Sequence, residues 1–249
     1  MNVNLNTNNC DPIFIGGPAH SGTSLVEFLL YQHSRIQQTA NFRTMRENSE
    51  DMFRSVRAFH TYVQNNKWEN NSKYLLFKNP SNIDFVETIL DISPTAKVIL
   101  MYRDPCDTVL SLLRRGEYLT FQEGLRYWIK KYEIILKFKK QPHKNIHIIN
   151  YESFCDSPKN TLKEVCDFLD LSDESEEILE KHGNHCRVHH VSRRPTDENR
   201  EHLKLRQYQL ATPIKRAISF KHKMSDEQWR IFNKLTHHIE NFEFDSVVR

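Results

Sequence analysis

Apolar residues along the chain fall into short unbroken runs, separated by longer stretches where they recur every three or four positions. Ile13-Phe14-Ile15, Leu75-Leu76-Phe77 and Val98 to Tyr102 are such runs, and they predict buried strands at about 12–16, 73–77, 97–102 and 145–150. Helical spacing predicts helices at about 23–33, 45–64, 82–91, 106–115 and 121–140. Strands alternating with helices in this way pair in parallel through right-handed crossovers, and ligands gather at the carboxyl ends of the strands. After residue 150 helices dominate. Ser157 and Pro158 start one that carries Leu162, Val165, Phe168 and Leu169; Ser225 with Gln228 starts another that carries Trp229, Phe232 and Leu235. Residues 184–213 have no clean period and are dense in His, Arg and Lys, as expected of a long loop or lid over the ligand site. The polar opening, residues 1–11, reads as flexible, leaving 12–249 as a single α/β domain with a helical C-terminal part.

Two strand-to-helix junctions carry the candidate chemistry. The first is Gly16-Gly17-Pro18-Ala19-His20-Ser21-Gly22-Thr23-Ser24-Leu25. A strand that turns through glycines into a helix aims free N–H groups and the positive end of the helix dipole at one spot, which suits an anion. Gly17 and Gly22 have the spacing of the phosphate-binding loop G-x-x-x-x-G-K-S/T, but Thr23 stands at the lysine position. That lysine reaches the outer phosphates of a nucleoside triphosphate, so its absence argues against ordinary ATP or GTP use. In the second junction Asp104 can cap a helix whose first turn holds Pro105, with Arg103 at the strand's end and Ser111 two helical turns on. Arginine and serine together can grip a second phosphate. Two such sites on neighbouring strand ends suit a nucleotide phosphorylated at both ends of its ribose.

The pair of junctions resembles the two phosphate-binding segments of sulfotransferases that use 3′-phosphoadenosine 5′-phosphosulfate (PAPS). The first family motif is similar to Pro18-Ala19-His20-Ser21-Gly22-Thr23-Ser24; the second matches at Arg103, Asp104, Pro105, Asp107 and Ser111. Phe77-Lys78-Asn79-Pro80, Ile89-Leu90 and Ser93-Pro94-Thr95-Ala96-Lys97 resemble the family's K-x-P strand end and the approach to the second motif. Asn150-Tyr151-Glu152-Ser153-Phe154, Pro158 and Phe168-Leu169-Asp170-Leu171 resemble its Y-E-D-L…P…F-L-x-L segment, so the likeness runs from about 12 to 171. It implies a P-loop NTPase-like sulfotransferase fold and transfer of a sulfuryl group from PAPS to a hydroxyl or amino group of a small-molecule acceptor. It further implies that Gly17, His20, Ser21, Gly22, Thr23 and Ser24 hold the 5′-phosphate, and that Arg103 and Ser111 hold the 3′-phosphate. Lys78 and His20 would serve catalysis as donors to the leaving oxygen.

Two features depart from the family pattern. His20 stands where relatives have lysine or arginine, and an imidazole with the usual pKa near 6.5 is charged only below neutral pH unless phosphates raise it. Relatives place the general base as a glutamate about twenty-one residues after the loop's basic residue, as a glutamate just before the lysine, or as a histidine two after it. Here those places hold Asn41, Phe77 and Pro80, none of which accepts a proton. Glu47, Glu50, Asp51 and His60 lie in the helix expected to flank the acceptor cleft; Glu47 is the expected base and His60 the reserve.

Composition narrows the picture further. The chain has 249 residues, 38% apolar and 11% aromatic, the balance of a globular domain. Its 35 basic and 32 acidic residues leave a formal charge of +3, too mild to imply nucleic acid as a partner. No apolar run approaches the ~20 residues that span a bilayer, and the five cysteines have no paired spacing, which favours reduced thiols and a cytoplasmic location. His182, His185, Cys186 and His189 have the spacing of ligands on one helical face, but the chemistry calls for no metal. Lys130, Lys131, Lys137, Lys139, Lys140 and Lys144 read as the solvated face of an amphipathic helix, and Arg193 and Arg194 are candidates to reach the 3′-phosphate from the lid. Two rival readings remain: a nucleotide kinase or NTPase on a related fold, and a PAPS- or PAP-binding protein that has lost transfer.

Overall fold

The computed structural model describes residues 10–38, 49–65, 71–184, 214, 219 and 221–239. Five parallel strands lie at its centre: β1 (Asp11–Gly16), β2 (Ile36–Gln38), β3 (Tyr74–Lys78), β4 (Lys97–Tyr102) and β5 (Ile146–Asn150), in the order β2-β3-β1-β4-β5. Helices connect and cover them: α1 (Thr23–Leu30), α2 (Ser49–Asn65), α3 (Val86–Ile92), α4 (Pro105–Arg114) and α5 (Phe121–Lys140), then α6 (Tyr151–Asp156), α7 (Pro158–Phe168), α8 (Ser175–Asn184) and α9 (Asp226–Thr236). This is the α/β class that the alternating pattern predicts.

Strand periodicity of two divides the core into two layers. Phe14, Leu75, Phe77, Val98 and Leu100 face one side, where Val56 and Phe59 of α2, Ile89 of α3 and Trp128 of α5 pack on them. Phe14 meets the rings of Phe59 and Phe77 edge-on, at 5.4 and 5.7 Å between centroids. Their strand neighbours Ile13, Ile15, Leu76, Ile99 and Met101 face the opposite side, against Val26 and Leu29 of α1, Leu162 and Val165 of α7, and Ile178 of α8. With both faces covered, the strands read as continuous apolar runs rather than alternating ones.

Where the chemistry of helix ends is explicit, the predicted boundaries hold. Asp104 caps α4 by accepting the Asp107 N–H at 3.1 Å, with Pro105 in the first turn. Ser225 and Gln228 form a capping box at α9, and Thr120 with Glu123 does the same for α5. Two boundaries differ. The helix expected to run to residue 33 ends at Leu30, and the chain turns into β2, a fifth strand. The Arg35 carbonyl accepts the N–H groups of Lys73 and Tyr74, at 2.9 and 3.2 Å, and so fastens β2 to β3. The helix expected over 82–91 begins instead as a 3₁₀ turn, Pro80–Phe85, because the buried Asn82 amide is pinned to the Ile15 and Phe77 carbonyls, at 2.9 and 3.2 Å.

The chain winds from β1 outward to β2, returns to β3 beside β1, and then crosses to β4 on the other side. That reversal leaves a crevice at the carboxyl ends of β1, β3 and β4. Lys78 ends β3 in register with Ile15, and Gly16 is in register with Leu100 of β4. The two predicted phosphate junctions and Lys78 therefore open on the same edge of the sheet.

Candidate functional site

The loop after β1 is fixed by contacts only glycine allows. Gly17 has φ 152°, and a Cβ there would stand 2.2 Å from the Met101 carbonyl oxygen. Gly22 has φ 94° and would bring a Cβ within 2.6 Å of the Tyr151 ring. Gly17→Ala is expected to cost on the order of 2–4 kcal/mol and to lower Tm by roughly 5–15 °C in a thermal melt. An unchanged Tm would show that the loop backbone is not tied to β4 in this way.

Gly22 caps α1 with its backbone alone, and among the described residues no side-chain cap reaches the helix's first-turn N–H groups. Ser21 is fully buried and its hydroxyl has no hydrogen-bond partner among the described residues. An orphaned donor below an uncapped helix end fits an anionic ligand. Tyr127 of α5 accepts the Ala19 N–H at 2.9 Å and ties the loop's outer edge to that helix. Burial pushes the Tyr127 phenol up to about 12, so it stays neutral.

His20 has φ 67°, and its side chain bridges the two junctions. Nδ1 lies 3.1 Å from the Ser111 hydroxyl on α4, and Nε2 lies 2.8 Å from Glu117 in the turn after α4. Ser111 is itself 9% exposed. The structure thus joins the two junctions through His20 and Ser111, a contact the motifs do not specify, and adds Glu117.

Arg103 sits at the end of β4 with its guanidinium 4.6 Å from the centroid of the Tyr151 ring. Two carboxylates flank it, Asp107 at 3.8 Å and Glu152 at 3.9 Å. Glu152 accepts the Asp104 N–H at 3.1 Å; burial raises its pKa, opposed by that backbone hydrogen bond and by Arg103. Lys221 lies 2.8 Å from Asp104, and Ser219 donates to Asp107 at 3.3 Å, so the approach to α9 closes over this corner. On the other flank Lys78 lies 3.5 Å from Glu27 of α1, both side chains 12% exposed. His20, Lys78 and Arg103 each have a carboxylate beside them.

His60 is half-buried on α2 with Nδ1 enclosed and unbonded among the described residues, and it makes no hydrogen bond or ion pair with the loop or Lys78. Asn41, Glu47, Arg193, Arg194, His185, Cys186 and His189 lie outside the described residues, as does nearly all of the expected lid; the side chains of Glu50 and Asp51 also lie outside them. His182 is buried and meets the Phe28 ring edge-on at 5.6 Å. Among the described residues no group of three or more His, Cys, Asp or Glu side chains is placed to hold a metal. Lys131 departs from the solvated-face expectation: it is buried and paired with Asp84. Glu27, Glu117 and Lys221 were not legible as site residues, because each joins the site through the tertiary fold. The only local signal is at Glu117, which follows Gly116 (φ 68°) in the turn that closes α4.

Residues 12–175 match the sequence profile of the Sulfotransferase family, and the chain belongs to that family. It is a transferase domain whose reaction is sulfuryl transfer. Solved structures of the same fold include the sulfotransferase domain of the curacin biosynthetic pathway, at 22% identity and TM-score 0.55 over 91% of this chain and 98% of that one. Mouse sulfotransferase SULT7A1, crystallised with PAP, is 15% identical with TM-score 0.63 over 95% of this chain and 87% of its own. The sulfotransferase domain of the Synechococcus PCC 7002 olefin synthase is 18% identical with TM-score 0.55, over 92% and 95%. No curated protein is a significant match to the chain. Among the described residues no helix is long and apolar enough to cross a membrane.

Proposed function

We propose that the sulfuryl donor is PAPS, leaving as 3′,5′-diphosphoadenosine (PAP), and that the acceptor is a hydroxyl or amino group of a small molecule. The observation that carries this reading is the contact of the two phosphate junctions through His20 and Ser111, at 3.1 Å, at adjacent strand ends. A ligand with phosphates at both ends of one ribose fits such a doubled site, and the PAP held by the mouse relative has that form. A triphosphate would want the lysine that Thr23 replaces. In this reading the buried Ser21 hydroxyl and the N–H groups of Gly22, Thr23 and Ser24 hold the 5′-phosphate, with Gly17 keeping the loop's shape. Arg103 and Ser111 hold the 3′-phosphate. PAPS supplies an activated sulfuryl group; Lys78 and His20 place positive charge where the leaving oxygen gains negative charge. Glu47, with His60 in reserve, takes the acceptor's proton. Residues 12–249 form one domain, with 184–213 as a lid over the nucleotide. The free, buried state of Cys10, Cys106, Cys155 and Cys166 suits a cytoplasmic setting.

Titration with PAP against ATP separates this reading from a kinase or NTPase, and turnover of labelled PAPS with an acceptor panel separates it from a protein that only binds. Arg103→Ala or Ser111→Ala is expected to weaken PAP about tenfold to hundredfold, the loss of one charge-assisted contact, and a nucleotide without the 3′-phosphate far less. Equal losses for both nucleotides would remove these residues from the 3′ site.

A further inference from the structure

The two ring nitrogens of His20 are both engaged, and their partners constrain the ring's protons. Nε2 faces Glu117 Oε1 at 2.8 Å, and a carboxylate only accepts, so Nε2 carries a hydrogen in either charge state. Nδ1 faces Ser111 Oγ at 3.1 Å and has two options. In the neutral ring Nδ1 is a lone pair, and the single hydroxyl proton of Ser111 must point at it. In the imidazolium Nδ1 is a donor; Ser111 then turns a lone pair toward the ring and its proton outward. The neutral arrangement offers a phosphate neither a charge nor the Ser111 proton. The charged arrangement offers both.

We propose that Glu117 is a positioning residue that lets a histidine serve as the site's cation: by holding Nε2–H it stabilises the imidazolium, and nucleotide binds the protonated ring, taking up one proton wherever His20 was neutral beforehand. The inference rests on the PAPS/PAP reading of the site. The ring is largely enclosed, its side chain 10% exposed, while Glu117 is 43% exposed. Among the described residues Glu117 is the sole carboxylate in contact with it. From α4 the neighbouring groups are Ser111 and, one turn earlier, Asp107, which sits 3.8 Å from Arg103; Arg114 and Arg115 close the helix before the turn. From α5 the neighbour is Tyr127, which burial keeps neutral. Lysine at the same place needs no such partner, since it is charged at neutral pH by itself.

The test is calorimetric titration with PAP between about pH 6 and pH 9, in buffers of different ionisation enthalpy, on the wild type, Glu117→Gln, His20→Lys and the double variant. PAP phosphates titrate near about pH 6 themselves, and His20→Lys supplies that baseline. Wherever the free ring is neutral and the complex holds it charged, the wild type should take up close to one proton more than His20→Lys, with affinity falling about tenfold per pH unit. Glu117→Gln should shift that fall to lower pH while matching the wild type at the acid end. In the His20→Lys background Glu117→Gln should change nothing, because its route to the phosphate is gone. Wild-type affinity without proton uptake would overturn the proposal. So would a Glu117→Gln loss as large in the His20→Lys background as in the wild type, which would mark Glu117 as structural. No PAP binding by either the wild type or His20→Lys would overturn the PAPS reading itself, and this inference with it.

Discussion

Lys78→Ala is expected to lower kcat by on the order of 10²–10³ while PAP affinity changes little. Lys78 ends β3, in register with the residue two places before Gly17, so a long side chain there lies beside the loop proposed for the 5′-phosphate. Its charge matters most as the bridging oxygen gains charge, which is a transition-state contribution rather than a binding one. The Ala variant also removes the cation that lies 3.5 Å from the mostly buried Glu27. Loss of that neighbouring cation from a mostly buried carboxylate would perturb the fold for reasons unrelated to chemistry. Lys78→Ala combined with Glu27→Gln removes both charges and should show the same loss in kcat with a normal Tm. Near-normal kcat in either variant would take Lys78 out of the catalytic set.

Glu47→Gln should lower kcat by about 10²–10⁴ if the acceptor is an alcohol, the usual contribution of a positioned base. Glutamine keeps the size and hydrogen bonding of glutamate but accepts no proton, so both ligands should still bind. His60→Ala is the companion measurement. One acceptor proton needs one base, so a loss of this size is expected in only one of the two variants. A neutral amine acceptor attacks through its lone pair before losing a proton, and neither variant should then matter. Full activity of both variants with an alcohol acceptor would sink the assignment and point to His20, water or the acceptor itself.

The parts of this fold that the sequence discloses are those governed by neighbours in the chain. Buried strands announce themselves as apolar runs because both sheet faces are covered, and α4 and α9 announce their starts through caps only a few residues long. β2 escapes because three residues, Ile36-Gln37-Gln38, contain one apolar side chain; its place is set by β3 and the Arg35 carbonyl. The 3₁₀ turn after β3 escapes because Asn82 finds its partners across the sheet, in Ile15 and Phe77. The same division runs through the site. Gly17, Gly22, Arg103 and Ser111 were legible from motifs whose spacing is local. Glu27, Glu117 and Lys221 were not, since an acidic or basic residue on a helix or turn looks alike whether it meets solvent or a distant cation. Glu152 and Tyr151 stood within a recognisable segment, yet their contact with Arg103 needed the parallel pairing of β4 with β5.

In the proposed reading, the carboxylates beside Lys78 and Arg103 make nucleotide binding an exchange of counter-ions, while Glu117 stays on the His20 ring. Each phosphate must displace a resident acid from a partly dry site, so the net gain per contact is the difference between two pairings rather than the whole of one. A small monoanion cannot compete with several anchored carboxylates at once, whereas a ligand that engages both junctions displaces them together. Site selectivity then arises from the number of simultaneous substitutions, which filters simple salts out. In that reading the same exchange runs in reverse after transfer: as the spent nucleotide departs, Glu27, Asp107 and Glu152 reoccupy their cations, and a tightly charged product is let go instead of jamming the site.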